Sequence, residues 1–223
     1  AGRAATSSDG VNWTYRQGFT MTSPAAIAWS GSIFCATGSG GAIVTSSDGA
    51  TWTARSSGSP GGPLTSVIWT GSQFCSVGFR DYTTDYPRIL TSPDGTTWTN
   101  RTIPSDLYQK DLASVAWSGS VFCAVGSFGY VTTSTDGITW TYRSGLRSVW
   151  DAASRVQSIT WTGSIFCAVG DQGRVATSTD GITWIFRAGL RSTTWGTGQQ
   201  RTIAWSGTKL VTGGQNGKIA TSI

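Results

Sequence analysis

The residues able to do chemistry are few in kind. All eleven acids of the 223-residue chain are Asp, with no Glu and no His. That removes the commonest general base and the commonest metal ligand together. Five carboxylates, Asp9, Asp48, Asp94, Asp136 and Asp180, recur inside Thr-Ser-x-Asp-Gly-x-x-Trp. There the Asp is expected to accept backbone N–H groups of its own tight turn and the next Gly to supply a positive φ. The Trp is expected to pin the following strand to its sheet. A carboxylate holding a turn is poorly placed to act as a catalytic acid. Six lie outside the boxes, Asp81, Asp85, Asp106, Asp111, Asp151 and Asp171, and paired carboxylates could in principle cleave glycosides. No pair is identifiable by spacing, so no catalytic residue, metal or cofactor is assigned.

Recognition chemistry is richer. One stretch runs Phe79-Arg80-Asp81-Tyr82-Thr83-Thr84-Asp85-Tyr86-Pro87-Arg88, dense in aromatic and polar groups. Other connecting segments contribute Tyr108 and Lys110, then Arg147, Trp150, Asp151 and Arg155, then Arg191, Trp195, Gln199 and Arg201. Sugar recognition needs this mixture: an aromatic platform for the apolar face of a pyranose, flanked by Asp, Arg and amide groups for its hydroxyls. The candidate ligand-binding residues are therefore Arg80, Asp81, Tyr82, Asp85, Tyr86, Tyr108, Arg147, Trp150, Asp151, Arg155, Arg191, Trp195 and Arg201. Trp150 and Trp195 are the two Trp outside the repeated framework, and a second role stays open for them, capping hydrophobic seams between sheets.

The elements that must position these residues follow from the repeat. Successive box Asp residues are 39, 46, 42 and 44 positions apart, a period that fits one four-stranded propeller blade. A second landmark, Ala/Ser-x-x-Trp-Ser/Thr-Gly, keeps time with the first at Trp29, Trp69, Trp117, Trp161 and Trp205, and an apolar run such as Ile33-Phe34-Cys35-Ala36 follows it. Strand A is expected through this Trp, strand B through Phe-Cys, strand C into the box and strand D after it. The chain is thus expected to be all-β, one domain over 1–223. It would form a single five-bladed β-propeller of four-stranded antiparallel blades, about 17–55, 56–101, 102–143, 144–187, and 188–223 with 1–16. The closing blade would share strands from both chain ends, which removes free edges. Gly217-Lys218-Ile219-Ala220-Thr221-Ser222 and Gly2-Arg3-Ala4-Ala5-Thr6-Ser7 both match the third-strand pattern. Either one copy pairs and the other lies alongside, or the chain is a window from a longer array.

These boxes resemble the Asp-box (BNR) repeats of sialidase-like propellers. Phe-Cys-Ala-Val-Gly with Thr-Ser-Thr-Asp-Gly-Ile-Thr-Trp is similar to repeats of bacterial and phage proteins labelled photosystem II assembly-factor-like. The resemblance covers nearly the whole chain and implies an architecture rather than an activity. It departs in one respect: the usual box has a residue between Asp and Gly, whereas Asp48 and Gly49 are adjacent. Sialidase-type catalysis would need an Arg triad, a Tyr–Glu pair and an Asp. With no Glu, the pair transfers to no position.

Cys35, Cys75, Cys123 and Cys167 each stand six residues after a strand-A Trp, and Val211 fills that slot in the fifth repeat. Equivalent positions on sheets packed about 10 Å apart lie beyond disulfide reach, so buried free thiols are expected. Arg16, Arg55, Arg101, Arg143 and Arg187 follow each box Trp by three residues. Their strict timing favours a framework role over a ring of anion sites.

Function is expected where the repeats disagree. The box turn never varies in length, but the box Trp to strand-A Trp spacing runs 16, 17, 19, 21 and 21, and Trp69 to Asp94 is 25 positions against 19 elsewhere. D–A and B–C connections emerge on one side of an up-and-down blade, so one loop face carries the variation. The net charge of +5 is spread through the framework, giving no nucleic-acid signature. No apolar run reaches the roughly 20 residues of a membrane span. The chain opens on Ala1 without a signal peptide and is expected to be a processed product or a domain of a longer chain. The expected function is a non-catalytic recognition module, lectin-like or binding a cell-surface receptor, at an extracellular or virion surface. A scaffold binding protein partners is the alternative, with a glycoside hydrolase behind both.

Overall fold

The computed structural model describes residues 3–16, 19, 21–58, 61–150, 154–187 and 198–222. The chain is a five-bladed β-propeller of antiparallel sheets, nearly all β, and it divides into two compact units, residues 1–101 and 102–223. In the first unit β1 (Ala4–Thr6) and β2 (Thr14–Arg16) form a hairpin. β3 (Pro24–Trp29), β4 (Phe34–Gly38), β5 (Ile43–Ser46) and β6 (Thr53–Arg55) form one four-stranded meander. β7 (Leu64–Trp69), β8 (Phe74–Gly78), β9 (Arg88–Ser92) and β10 (Thr99–Asn100) form another.

The second unit repeats the pattern. β11 (Leu112–Trp117), β12 (Phe122–Gly126), β13 (Val131–Ser134) and β14 (Thr141–Arg143) make one sheet. A short helix, α1 (Gly145–Val149), leads to β15 (Val156–Trp161), β16 (Phe166–Gly170), β17 (Val175–Ser178) and β18 (Ile185–Arg187). β19 (Gln200–Trp205), β20 (Leu210–Gly214) and β21 (Ile219–Thr221) make a three-stranded sheet. β21 pairs with β20, and β1 pairs with β2 in a sheet of its own. Each third-strand copy has the residues to form its own ladder, so neither is left over.

The box chemistry explains the regularity. In each box the Asp Oδ1 accepts two backbone N–H groups, as Asp48 does from Ala50 at 2.8 Å and Thr51 at 2.7 Å. The Trp indole donates back to the box Gly carbonyl, at 2.9 Å for Trp98 and 3.1 Å for Trp184. Gly49 and Gly181 adopt φ of 70° and 74°, a region closed to most side chains. The five timed arginines are framework: Arg16, Arg55, Arg101, Arg143 and Arg187 each donate Nε–H to the box Thr of the adjacent strand at 2.8–2.9 Å.

The core is built from the seams between sheets. Cys35, Leu64, Val67, Phe74 and Trp98 pack together in the first unit, and Cys123, Val125, Ile159, Phe166 and Trp184 in the second. All four cysteines are free and buried. Burial pushes the Cys35 and Cys75 thiols up to about 12 and Cys167 to about 11.

Candidate functional site

The second unit holds an open cleft of about 500 Å³ lined by Arg155, Gln157, Asp171, Gln199 and Arg201. Arg155 and Gln199 stand just before β15 and β19, and Gln157 and Arg201 are the second residues of those strands. The same two slots of successive sheets are thus filled by Arg and Gln in opposite order. A register jump sits between Val156 and Ser158 and again between Gln200 and Thr202. The residue each bulge skips is Gln157 or Arg201. A bulge bends the strand and re-aims its extra side chain, which brings these two to the cleft.

The other cleft groups are held from behind. Asp171 opens the tight turn between β16 and β17. Its Oδ2 accepts the Arg155 backbone N–H at 2.9 Å and its Oδ1 accepts Gln157 Nε2–H at 3.0 Å. Gln199 Oε1 accepts Nε2–H of Gln215 at 3.0 Å. The Asp171 carboxylate is therefore engaged by two donors, while both guanidiniums stand on exposed residues. Among the described residues, two cations face one anion in the cleft.

A second cluster in this unit surrounds Tyr130. Arg147 Cζ lies 4.7 Å and Lys110 Nζ 5.2 Å from the ring centroid, and Lys110 is also 5.8 Å from the Phe128 ring. Phe128 is held at φ 57° in the turn between β12 and β13, a conformation rare for a bulky residue. Cations over aromatic faces are attracted by the ring quadrupole, so Tyr130 keeps both charges on the loop face. Tyr108, a site candidate, is exposed on the same connection as Lys110.

Trp150 takes the second of the two roles left open for it. The residue is 3% exposed and packs with Leu146, Val156 and Ile159. A Cβ placed on Gly129 would fall 2.9 Å from its Cβ, and one on Gly170 2.9 Å from its Cζ2. Glycines on both sides make room for the indole, and a ring so enclosed offers no platform to a sugar. Asp151, Arg191 and Trp195 lie outside the described residues.

In the first unit the insert between β8 and β9 is braced by its own acids. Asp81 is buried and its Oδ1 accepts the Thr83 N–H at 2.8 Å and the Thr83 hydroxyl at 2.6 Å. Asp85 donates its N–H to the Asp81 carbonyl at 2.8 Å and adopts φ 61°. Arg88, also buried, donates Nη2–H to the Ser57 carbonyl at 3.2 Å. Burial lowers its pKa while the Asp81 charge opposes that shift. Arg80 and Tyr86 are half-buried, and Tyr82 stands 77% exposed.

Sequence reasoning named Arg155, Arg201, Tyr108 and Arg147 as candidates, but not Gln157, which lines the cleft, or Tyr130, which lies under Lys110 and Arg147. Gln157 was within reach, because it occupies the repeat slot of Arg201. Tyr130 carried no such signal, since its partners come from two separate connections.

Among the described residues no group of three His, Cys, Asp or Glu gathers to hold a metal ion, and no helix is long and apolar enough to cross a membrane. No known protein family pattern matches the chain, and no curated protein matches it. Solved structures do. One described as YCF48 bound to D1 peptide aligns with a TM-score of 0.70 at 16% identity, over 96% of this chain and 68% of that one. YCF48 from Cyanidioschyzon merolae gives 0.68 at 15%, over 97% and 75%. The extracellular domain of a putative one-component system from B. thetaiotaomicron gives 0.67 at 15%, over 93% and 28%. At such identities the likeness shows the fold alone, the β-propeller that the sheets describe.

Proposed function

We propose that the chain is a non-catalytic recognition module that binds an acidic segment of a protein partner on the loop face of its second unit. The observation that carries this reading is the cleft in which Arg155 and Arg201 stand open beside a carboxylate already engaged by two donors. Guanidinium groups match carboxylates bidentately, and the Gln157 and Gln199 amides supply hydrogen bonding around them. Lys110 and Arg147, held on Tyr130, extend the positive character of this unit. The similar structure described as YCF48 bound to D1 peptide supports a peptide-binding use of such a fold.

A lectin-like reading, at an extracellular or virion surface, stands second. Tyr82 and Tyr108 are large exposed aromatics of the kind that stack on sugars, and one similar structure is an extracellular domain. The test pairs an acidic peptide library with a glycan array, each probed with wild type and with Arg155→Ala, Arg201→Ala. Peptide binding that the double variant loses supports the main reading. Glycan binding without peptide binding overturns it in favour of the lectin, and binding to neither removes both.

A further inference from the structure

Four of the turns that lead from a second strand into a third share one geometry. Gly40-Gly41, Phe128-Gly129, Gln172-Gly173 and Asn216-Gly217 stand at positive φ in both positions, at 67° and 72°, 57° and 72°, 59° and 65°, and 60° and 66°. A turn whose two central residues both have positive φ favours Gly-Gly and Asn-Gly. Gly has no Cβ to clash there, and the short Asn amide tolerates the left-handed region. Two of the four turns use those pairs. Phe128 instead brings a bulky ring to a position that selects against one.

The turn cannot relax around that ring. Ser127 donates its N–H to the Asp111 carbonyl at 3.0 Å, Gly126 donates to the Tyr130 carbonyl at 3.1 Å, and Tyr130 donates to the Ser127 carbonyl at 3.0 Å. Gly129 lies against α1, where a Cβ would fall 3.2 Å from Arg147 Cα. Strain of this kind persists where the surroundings over-determine it, and it gathers at ligand contacts. The position of the ring agrees. Phe128 is half-buried, and Lys110 Nζ lies 5.8 Å from its centroid and 5.2 Å from that of Tyr130. The turn also touches β15, at whose start Arg155 and Gln157 line the cleft. An apolar face is thus set among the cations of the loop face.

We infer that Phe128 is an apolar subsite of this surface, and that the acidic segment it binds carries an aromatic or aliphatic side chain beside its carboxylates. That side chain packs on the Phe128 ring while the carboxylates meet Lys110, Arg147 and the cleft arginines. The inference rests on the acidic-peptide reading of the loop face and adds a requirement to it. Charge alone accepts any acidic segment, whereas a ring contact selects among them.

The experiment is calorimetric titration of the full chain with two peptides of equal negative charge, one with a single central Phe and one with Ser there, alongside urea midpoints. Wild type is expected to bind the Phe peptide roughly two- to tenfold tighter, the range of an aromatic pair. Phe128→Asn suits the turn and should bind both peptides alike, at an equal or higher urea midpoint. The double variant Arg155→Ala, Arg201→Ala should weaken both peptides and keep the preference, which separates the ring contact from the charge contacts. Equal wild-type affinity for the two peptides overturns the inference and leaves the acidic-peptide reading standing. So does a Phe128→Asn variant that keeps the preference, or one whose midpoint falls because the ring was packing the fold. Binding of neither peptide overturns that reading and the inference with it.

Discussion

The guanidinium carbon of Arg147 lies 4.7 Å from the centre of the Tyr130 ring, and Lys110 Nζ lies 5.2 Å from the same centre. One aromatic ring therefore orders two cations that come from different connections. Tyr130→Phe keeps the ring face and is expected to bind acidic peptide as wild type does. Tyr130→Ala frees both side chains. With each of the two contacts worth about 0.5–1 kcal/mol at an exposed site, isothermal titration should show binding weakened roughly five- to thirtyfold. Equal affinity in the two variants would remove Tyr130 from the site.

The cleft itself makes an electrostatic prediction. If Arg155 and Arg201 carry the contact, affinity must fall as salt rises, because the screening length contracts from about 10 Å at 0.1 M to about 3 Å at 1 M. The double variant Arg155→Ala, Arg201→Ala should bind weakly at low salt and show a flatter salt dependence. A wild-type Kd indifferent to salt would contradict the assignment.

Trp150 should matter for stability rather than for contact with ligand. Truncating a buried indole to Ala costs about 3–5 kcal/mol, so Trp150→Ala is expected to lower the denaturation midpoint strongly. Trp150→Phe, which fills much of the space between Gly129 and Gly170, should retain ligand affinity within about twofold while losing some stability. A selective loss of binding in Trp150→Phe would return the residue to the ligand surface.

The boxes make the fold acid-sensitive in a defined direction. The Thr51 N–H, then the Ala50 N–H and the Ser46 hydroxyl, hold Asp48 down at about 2, and the Thr139 and Ile138 N–H groups act likewise on Asp136. Asp9 and Asp94 are also held well below the usual carboxylate range, Asp9 chiefly by the Asn12 N–H and Asp94 chiefly by the Thr96 hydroxyl. Their folded-state values lie below the unfolded ones. The stability they contribute is thus present above about pH 4 and lost as pH falls from there through about pH 2. Urea midpoints measured down this range should fall steadily, and Asp136→Asn should lower the midpoint at pH 7 while flattening that fall.

The thiols should be silent in the native state. With Cys35 and Cys75 raised to about 12 and Cys167 to about 11 by burial, little nucleophilic thiolate exists at pH 8. A thiol reagent is expected to find none reactive before denaturation and all four afterwards. Fewer than four after denaturation would mean that some are bonded.

What the sequence determined on its own is whatever depends on neighbours along the chain. Each box closes within a few residues, Asp48 on Ala50 and Thr51 and Trp52 on Gly49, so five copies of the motif announce five turns, their flanking strands and the all-β class. The buried cysteines and the timed arginines follow from the same register, because a residue that keeps step with the repeat inherits its environment. The tertiary structure decided the rest. Arg155 and Arg201 line one cleft that successive sheets share, and the direction of a side chain at a bulge, such as that of Arg201, is set by its partner strand. Trp150 is buried rather than presented because Gly129, in the turn between β12 and β13, and Gly170, at the end of β16, leave space for its ring. Spacing along the chain carries no record of such room, which exists only once the sheets have packed.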